Sequence, residues 1–289
     1  MMTIDAVKCI QCKACIEVCP NYVFACHAGG AAEVEIAHPE QCCLCGHCVA
    51  VCPEGAIRHG GMPPEEFREV PHPRVSGADM RDILLSRRSI RAFQEKPVPR
   101  ELLEQLIETA THAGTASNAQ TEDFIVIQNR HLLSELEELV IEILWKAGLK
   151  YLGSRLGRTL VELKYGRRMV RQYVAYHHIM ANRKRQGQLR GMIFRNAPVV
   201  VISHGLKTNF LAHTNCAIAT RNMEIMAPTL GLGTCWVGFL TSAAHISRRI
   251  GKCLGVPPDR KIYGAIMAGY PKHRYGKRIP RRRREVCWL

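Results

Sequence analysis

The chain contains 289 residues, 47% of them hydrophobic, and carries 40 Lys and Arg against 25 Asp and Glu, for a formal net charge of +15. This apolar share is sufficient for a folded core, so wholesale disorder is excluded. No apolar run reaches the roughly 18 residues of a membrane-spanning helix. The N-terminal residues show no secretory signal, so we expect a cytoplasmic protein with no membrane partner.

Charge and cysteine are both distributed unevenly along the chain. Residues 1–74 hold 5 basic and 9 acidic groups, whereas residues 75–289 hold 35 basic and 16 acidic groups. Ten of the 14 cysteines occur within the first 52 residues. Residues 61–76 include Pro63, Pro64, Pro71 and Pro73, which favour extended chain. We therefore predict a Cys-rich domain over 1–60, a linker over 61–76 and a basic domain over 77–289.

The Cys-rich domain contains two copies of the spacing C-x2-C-x2-C-x3-C-P. Each cysteine of the second run lies 33 residues after its counterpart in the first. This spacing resembles that of bacterial ferredoxins that hold two 4Fe–4S clusters, and the resemblance covers residues 3–60. It implies that three cysteines of one run and the fourth of the other bind each cluster. The implied ligand sets are Cys9, Cys12, Cys15 and Cys52 for one cluster, and Cys42, Cys45, Cys48 and Cys19 for the other.

Disulfides and structural zinc are the alternatives for so many cysteines. Disulfides suit a secreted chain, and the closely spaced runs are poorly placed for pairing. Structural zinc usually takes two separated pairs of ligands. Cys26 and Cys43 lie outside the pattern and are predicted to be small buried residues. Residues 22–36, which include Gly29 and Gly30, are predicted to form a short hairpin.

The basic domain alternates predicted helices and apolar strands. Pro99 precedes an amphipathic helix, and further helices are predicted over 132–151 and 215–230. Strands are predicted at 124–127, at 198–202, near Trp236 and at 262–268. These elements predict an α+β fold with a small sheet. The sequence contains no P-loop, complete dinucleotide-binding, zinc-protease or serine-hydrolase motif.

Four segments of the basic domain indicate a cofactor that carries phosphate. Residues 87–91 place three guanidinium groups and a hydroxyl in a short stretch, a donor set suited to a phosphate dianion. A solvated charged turn is the alternative for this stretch. A small polar segment follows at 115–120, a glycine-rich segment at 231–238, and a basic segment after Pro280.

In this order the four segments resemble those of the nitroreductase family of FMN-dependent oxidoreductases, over residues 79–284. The resemblance implies that the first and last segments hold the FMN phosphate, the second lies along the flavin, and amides of the third face its N5 atom. The implied FMN-binding residues are Arg87, Arg88, Ser89, Arg91, Thr115, Ser117, Asn118, Gln120, Val237, Gly238, Arg281 and Arg283. Thr121 and Glu122 replace the Pro-Trp pair that often follows in the family, so Gln120 carries over less directly.

Together the two resemblances imply an iron–sulfur flavoprotein oxidoreductase, a ferredoxin-like two-cluster domain followed by an FMN-dependent nitroreductase-like domain. Single electrons would enter through the two 4Fe–4S clusters, FMN would accumulate two, and hydride equivalents would leave N5 for a small acceptor. The implied acceptors are a nitroaromatic, a quinone or an activated alkene. No catalytic side chain is assigned, because the chemistry takes place on the flavin.

Two other functions stay open. NAD(P)H would reduce FMN if the electron flow were reversed, and the clusters would then reduce a redox carrier protein. A Cys-rich nucleic-acid-binding protein is the third hypothesis, since the basic domain carries excess positive charge. The nitroreductase resemblance implies a homodimer, and thiolate-bound clusters favour a reducing cytoplasm, as in an anaerobe.

The segment 145–195 holds 13 basic residues and one acidic residue, Glu162. It is predicted to select an anionic substrate or to bind an acidic partner, and a solvated pair of basic helices is the alternative. Within it, His177 and His178 are predicted to be surface residues. Cys235, near the glycine-rich segment, is predicted to be buried and structural.

Overall fold

The computed structural model describes residues 2–26, 33–70, 72 and 74–289. The chain divides into two compact units: unit 1 comprises Met1–Val75 and Thr115–Gln120, and unit 2 comprises Ser76–Gly114 and Thr121–Leu289. Unit 1 therefore extends through the predicted linker and also takes in a short segment of the predicted basic domain. Gly29, Gly30, Pro71 and Pro73, which support the hairpin and linker predictions, lie outside the described residues.

Unit 1 is built from two similar halves that share their strands. The first half contains β1 (Met2–Ile4), α1 (Ala14–Val18) and β2 (Phe24–Cys26), and the second contains β3 (Val34–Ile36), α2 (His47–Val51) and β4 (Ile57–His59). β1 pairs antiparallel with β4, and β2 pairs antiparallel with β3, as the hairpin prediction requires. Each pair thus joins one strand from each half.

Each short helix of unit 1 ends at the fourth cysteine of its run. Cys19 and Cys52 are the extended residues that follow α1 and α2. The next residues are Pro20 and Pro53, which cannot continue a helix. The unit's small core contains Val23 and Phe24 among its buried side chains.

Unit 2 contains a four-stranded sheet covered by helices, an α+β fold as the sequence predicts. Its helices are α3 (Gly77–Ser86), α4 (Arg100–Thr111), α5 (Arg130–Leu152), α6 (Arg155–Tyr165), α7 (Arg167–Arg185), α8 (Ala212–Met226), α9 (Gly238–Ile246) and α10 (Arg249–Cys253). Its strands are β5 (Glu122–Ile127), β6 (Val199–Leu206), β7 (Gly233–Trp236) and β8 (Arg260–Gly269). They form an antiparallel sheet in the order β5-β6-β8-β7.

The first half of the central strand β6, residues 199–202, is apolar at every position because both faces of the sheet are covered. Val200 and Ile202 belong to the core that includes residues of α5 and α9. Val199 and Val201 point to the opposite face, into the core that includes residues of α4 and α8. A strand buried on both faces has a continuous hydrophobic run instead of an alternating pattern.

The basic segment forms the helix pair α6 and α7. The side chain of Ser154 accepts a hydrogen bond from the Gly157 amide and begins α6. His178 is exposed as predicted. His177 is half-buried and its ring stacks on Trp145 with 4.5 Å between centroids, so the surface prediction was wrong for this residue.

Among the described residues, no helix combines the length and the apolar character needed to cross a bilayer.

Candidate cluster and flavin sites

Two cavities in unit 1 bring together the cysteines of the two runs. The first is bordered by Cys9, Cys12, Cys15 and Cys52. The second is bordered by Cys42, Cys45, Cys48 and Cys19. Each cavity therefore receives three cysteines from one run and the fourth from the other. This exchange follows from the strand pairing, since each sheet joins the two halves.

The four thiols around each cavity match the donor set of a 4Fe–4S cluster. Burial raises the pKa of the Cys15 thiol, and it raises that of Cys48 to about 11. Iron binds the thiolate form, so these buried thiols release their protons when metal enters. The residues present thus fit two clusters, and their individual roles as ligands stay predictions.

The fourth cysteines also accept hydrogen bonds from the backbone. The Val23 amide lies 3.3 Å from the Cys19 sulfur, and the Ala56 amide lies 3.3 Å from the Cys52 sulfur. Amide donors of this kind stabilise the negative charge of a thiolate-bound cluster.

Two cysteines outside the runs differ from each other in burial. Cys26 is exposed, so the prediction that it is a buried residue was wrong. Cys43 is half-buried beside the second cavity, and burial raises its pKa. In unit 2, Cys235 is buried with 4% of its surface exposed, which confirms the prediction for that residue.

The arginine-rich segment of unit 2 runs beside β7. Ser89 forms a bridge to Thr234, and the Ile90 amide donates to the Thr234 carbonyl oxygen over 2.9 Å. The close approach requires glycine at position 233, because a Cβ atom there would lie 2.4 Å from Cγ1 of Ile90. The sheet therefore fixes the path of residues 87–91.

Two of the arginines have buried guanidinium nitrogens. Arg87 Nη1 lies 3.1 Å from Oε1 of Glu224, and Arg221 Nη1 lies 3.1 Å from the other oxygen of the same carboxylate. Glu224 is 4% exposed. Within the described part of the chain, the Nε atoms of Arg87 and Arg88 are buried and have no hydrogen-bond partner. Unsatisfied cationic donors of this kind fit an anionic group such as the FMN phosphate.

The C-terminal segment is attached to the start of unit 2. Arg88 Nη2 donates to the Lys277 carbonyl oxygen over 3.1 Å, and Arg278 pairs with Asp82 over 2.8 Å. Arg281 and Arg283 are exposed, and neither makes a hydrogen bond or ion pair with another described residue. The predicted role of these two arginines at the phosphate stays a prediction.

The polar segment Thr115–Gln120 groups with unit 1. The Asn118 side-chain amide donates to the carbonyl oxygens of Cys43 (3.3 Å) and Leu44 (2.8 Å). Ser117, Asn118 and Gln120 have φ angles of 52°, 52° and 42°. Positive φ is uncommon outside glycine and indicates that the surroundings impose the conformation. The FMN contacts predicted for Thr115, Ser117, Asn118 and Gln120 stay predictions.

Val237 and Gly238 lie where β7 gives way to α9. The Val237 amide donates to the Ala265 carbonyl oxygen over 2.8 Å, and the FMN contact of Val237 stays a prediction. Gly238 is the first residue of α9. The first amides of a helix have no intrahelical acceptor, so Gly238 keeps the predicted role. The acceptor Ala265 lies on β8, and this pairing could not be inferred from local sequence.

Two further residues of these sites did not emerge from the sequence. Glu224 holds the Arg87 guanidinium, but it is 137 residues distant in the chain. His59 Nε2 lies 3.4 Å from the Cys42 sulfur. The 33-residue repeat could have drawn attention to His59, because this histidine occupies the position that Cys26 occupies in the first half.

Comparison with known proteins finds two matching families. The Nitroreductase family matches residues 84–270, and the 4Fe-4S dicluster domain matches residues 8–56. A Methanothermobacter thermautotrophicus protein named "Putative NADH dehydrogenase/NAD(P)H nitroreductase" is 24% identical over 209 residues, which cover 71% of this chain and 84% of that protein. An uncharacterized ferredoxin of Methanocaldococcus jannaschii is 37% identical over 59 residues, which cover 20% of this chain and 90% of the ferredoxin.

Solved structures show the same fold for the larger part of the chain. The crystal structure of a nitroreductase with bound FMN from Bacteroides fragilis has a TM-score of 0.52 and 23% sequence identity. The match covers 72% of this chain and 95% of that one.

Proposed function

Because the chain belongs to the nitroreductase family and carries a 4Fe-4S dicluster domain, we propose that it relays electrons between two clusters and FMN to reduce a small acceptor. It is an FMN-dependent oxidoreductase, and its cofactors are FMN and two 4Fe–4S clusters. The observation that supports the relay is the presence, in one chain, of two four-cysteine cavities and an arginine-rich segment with unsatisfied buried donors.

When bound, the clusters supply single electrons and the flavin supplies two-electron chemistry. The chain's own contribution is to hold and orient these groups. Arg87 and Arg88 direct cationic donors to the phosphate, and Glu224 fixes the Arg87 guanidinium. Gly238 supplies an amide at the start of α9. A nitroaromatic, a quinone or an activated alkene is the proposed acceptor, and a homodimer is the proposed assembly.

The cofactor content of anaerobically purified protein tests the proposal directly. We expect about eight iron atoms per chain, as two cubanes require, together with FMN. Zinc without flavin would overturn the proposal. A screen of nitroaromatics, quinones and enones with a reduced ferredoxin as donor then identifies the acceptor class.

The Arg87→Ala variant tests the phosphate site. We expect it to lose FMN and to keep both clusters, since Arg87 lies in unit 2 and the cysteines lie in unit 1. Arg100→Ala removes an exposed arginine of α4 and should retain FMN. FMN content by absorbance after gel filtration, with iron analysis, is the measurement.

A double variant separates binding from stability at this position. Removing Arg87 alone leaves Glu224 buried with one partner fewer, which itself destabilises a fold. Arg87→Ala combined with Glu224→Ala removes both partners and should recover part of the thermal stability without recovering FMN. If the double variant binds FMN at full occupancy, the assignment of Arg87 to the phosphate is wrong.

Reversed electron flow is the second candidate function. The name of the Methanothermobacter relative favours it, because that name includes NADH and NAD(P)H. In this case a nicotinamide reduces the flavin and the clusters pass electrons to a carrier protein. Anaerobic rapid mixing with NADH or NADPH distinguishes the two directions, since bleaching of the flavin by either nucleotide supports the second and its absence supports the first.

A further inference from the structure

His59 donates a hydrogen bond to a cysteine of the second cavity. It is the last residue of β4, and its Nε2 atom lies 3.4 Å from the Cys42 sulfur. Its Nδ1 atom accepts the amide hydrogen of Gly61 over 3.1 Å. A ring nitrogen that accepts a hydrogen bond carries no proton, so the proton of the neutral imidazole is on Nε2. The ring therefore directs an N–H group at the sulfur.

The two halves of unit 1 are otherwise matched around their cysteines. The hydrogen bond from the Val23 amide to the Cys19 sulfur recurs 33 residues later as the hydrogen bond from the Ala56 amide to the Cys52 sulfur, at the same distance of 3.3 Å. Each cavity is bordered by three cysteines of one run and one of the other. Ligand number and backbone donors are therefore the same at both sites.

The side chain at the position of His59 breaks this equivalence. The 33-residue offset relates Cys42 to Cys9 and His59 to Cys26. Cys26 is exposed, and no side chain of the described residues donates a hydrogen bond to the Cys9 sulfur. Among the described residues, the second half alone thus presents an imidazole donor to the first cysteine of its run.

We propose that the Nε2–H group of His59 makes the second cluster, at Cys42, Cys45, Cys48 and Cys19, the more easily reduced of the two. Reduction adds one negative charge to a cluster and its thiolates, and a hydrogen-bond donor at a thiolate stabilises the more negative state. An electron that enters unit 1 from the donor therefore resides mainly on the second cluster. Only the partition of this electron changes; no bond breaks and no other reductant takes part. The proposal rests on the two-cluster assignment made above.

A potentiometric titration of the anaerobic holoprotein, monitored by electron paramagnetic resonance, tests the proposal. The wild-type protein should show two separate one-electron cluster steps. In His59→Phe, the ratio of reduced to oxidised second cluster at a fixed potential should fall about tenfold, which is about 59 mV for a one-electron couple. The step of the other cluster should stay in place, so that the difference in potential between the two steps becomes smaller. His38→Phe, which removes an exposed histidine that borders neither cavity, should change neither step.

Three results would overturn the proposal: neither step moves in His59→Phe, both steps move equally, or His38→Phe shifts a step as much. Iron analysis of the wild-type protein comes first, because fewer than about eight irons would contradict the cluster assignment instead of the role of His59.

Two measurements decide the question if His59→Phe does not retain its iron. His59→Gln keeps an N–H donor and should shift the step by less than about threefold. Pulsed electron paramagnetic resonance of reduced wild-type protein, labelled with 15N-histidine, should detect a nitrogen coupled to one cluster. Absence of this coupling would overturn the proposal.

Discussion

Among single residues, Glu137 is the most fully engaged buried charge of unit 2. It is 5% exposed, and its carboxylate accepts the amides of Gly191 (2.7 Å), Ile193 (2.7 Å) and Phe194 (3.0 Å). These residues form the turn that leads into β6. The carboxylate therefore replaces the backbone acceptors that an irregular turn lacks.

Glu137→Ala should lower the free energy of unfolding by roughly 3 kcal/mol, because buried amides lose a charged acceptor. Urea unfolding followed by tryptophan fluorescence measures the effect, since Trp145, Trp236 and Trp288 all belong to unit 2. The adjacent and exposed Glu138 provides the matched control, and Glu138→Ala should change stability by less than about 0.5 kcal/mol. Equal losses in the two variants would contradict the argument.

Two histidines with lowered pKa values give unit 2 a defined pH dependence. Burial lowers the pKa of His204, with a further lowering by Arg260 and an opposing effect of Asp123. Desolvation of the His245 ring also lowers the pKa of that histidine, although the residue as a whole is exposed. The unfolded chain, whose histidines titrate near 6.5, therefore takes up protons that the folded state does not. The stability from these groups is complete above pH 6.5 and is lost as the pH falls below it.

His204→Gln removes one of these groups and should reduce the loss of stability between about pH 7 and pH 5. The measurement is urea unfolding of the intact protein at several pH values. His178→Gln, a change at an exposed histidine, should leave the pH dependence as it is in the wild type. If the free energy of unfolding of His204→Gln depends on pH as steeply as that of the wild type, another group causes the pH dependence.

Among the elements, the contact between residues 87–91 and β7 connects stability to cofactor binding. Gly233 permits this contact, since an added Cβ would lie 2.9 Å from Pro271 as well as 2.4 Å from Ile90. Both Arg87 and Arg88 belong to the segment that would have to move.

Gly233→Ala should destabilise unit 2 by about 1–3 kcal/mol, as overpacking does, and should lower the FMN content. The measurements are thermal unfolding and the flavin-to-protein ratio. Gly114→Ala is the control, because a Cβ at Gly114 meets no atom within 4 Å. Unchanged FMN content in Gly233→Ala would indicate that the segment adapts without disturbing its arginines.

The elements also show which parts of the structure were predictable from sequence. The apolar run of β6 and the periodic face of α4 follow from burial, and the cysteine spacing indicates the two-cluster site. Long-range pairings were not predictable: the Val237 amide meets Ala265, and Glu224 meets Arg87, through folding of distant segments. Asn118 is a further example, since its partners Cys43 and Leu44 precede it by more than 70 residues.

For the whole molecule, the division into two units predicts separate responses to loss of iron. Unit 1 has a small apolar core that includes Cys15 and Cys48 themselves. Domains of this size with few apolar residues commonly depend on metal to fold. The sheet and helices of unit 2 form two larger cores without these cysteines.

Removal of iron by a chelator under anaerobic conditions should therefore make residues 1–75 sensitive to trypsin, while unit 2 keeps its tryptophan fluorescence. Mass spectrometry of the fragments locates the cleavages. Holoprotein treated with the same trypsin but no chelator is the control. Loss of the tryptophan signal in parallel with iron would contradict independent folding of the two units.

The exchange of the fourth cysteines between the two cavities also has a consequence for biogenesis. Cys19 borders the second cavity and Cys52 borders the first, so each half of unit 1 supplies the fourth cysteine of the other half's cavity. A protein that holds only one cluster would lack the folded structure that brings all four cysteines to the other cavity. Maturation is therefore expected to be cooperative, with molecules that hold both clusters or neither. For the same reason, oxidative damage to one cluster should also destabilise the other.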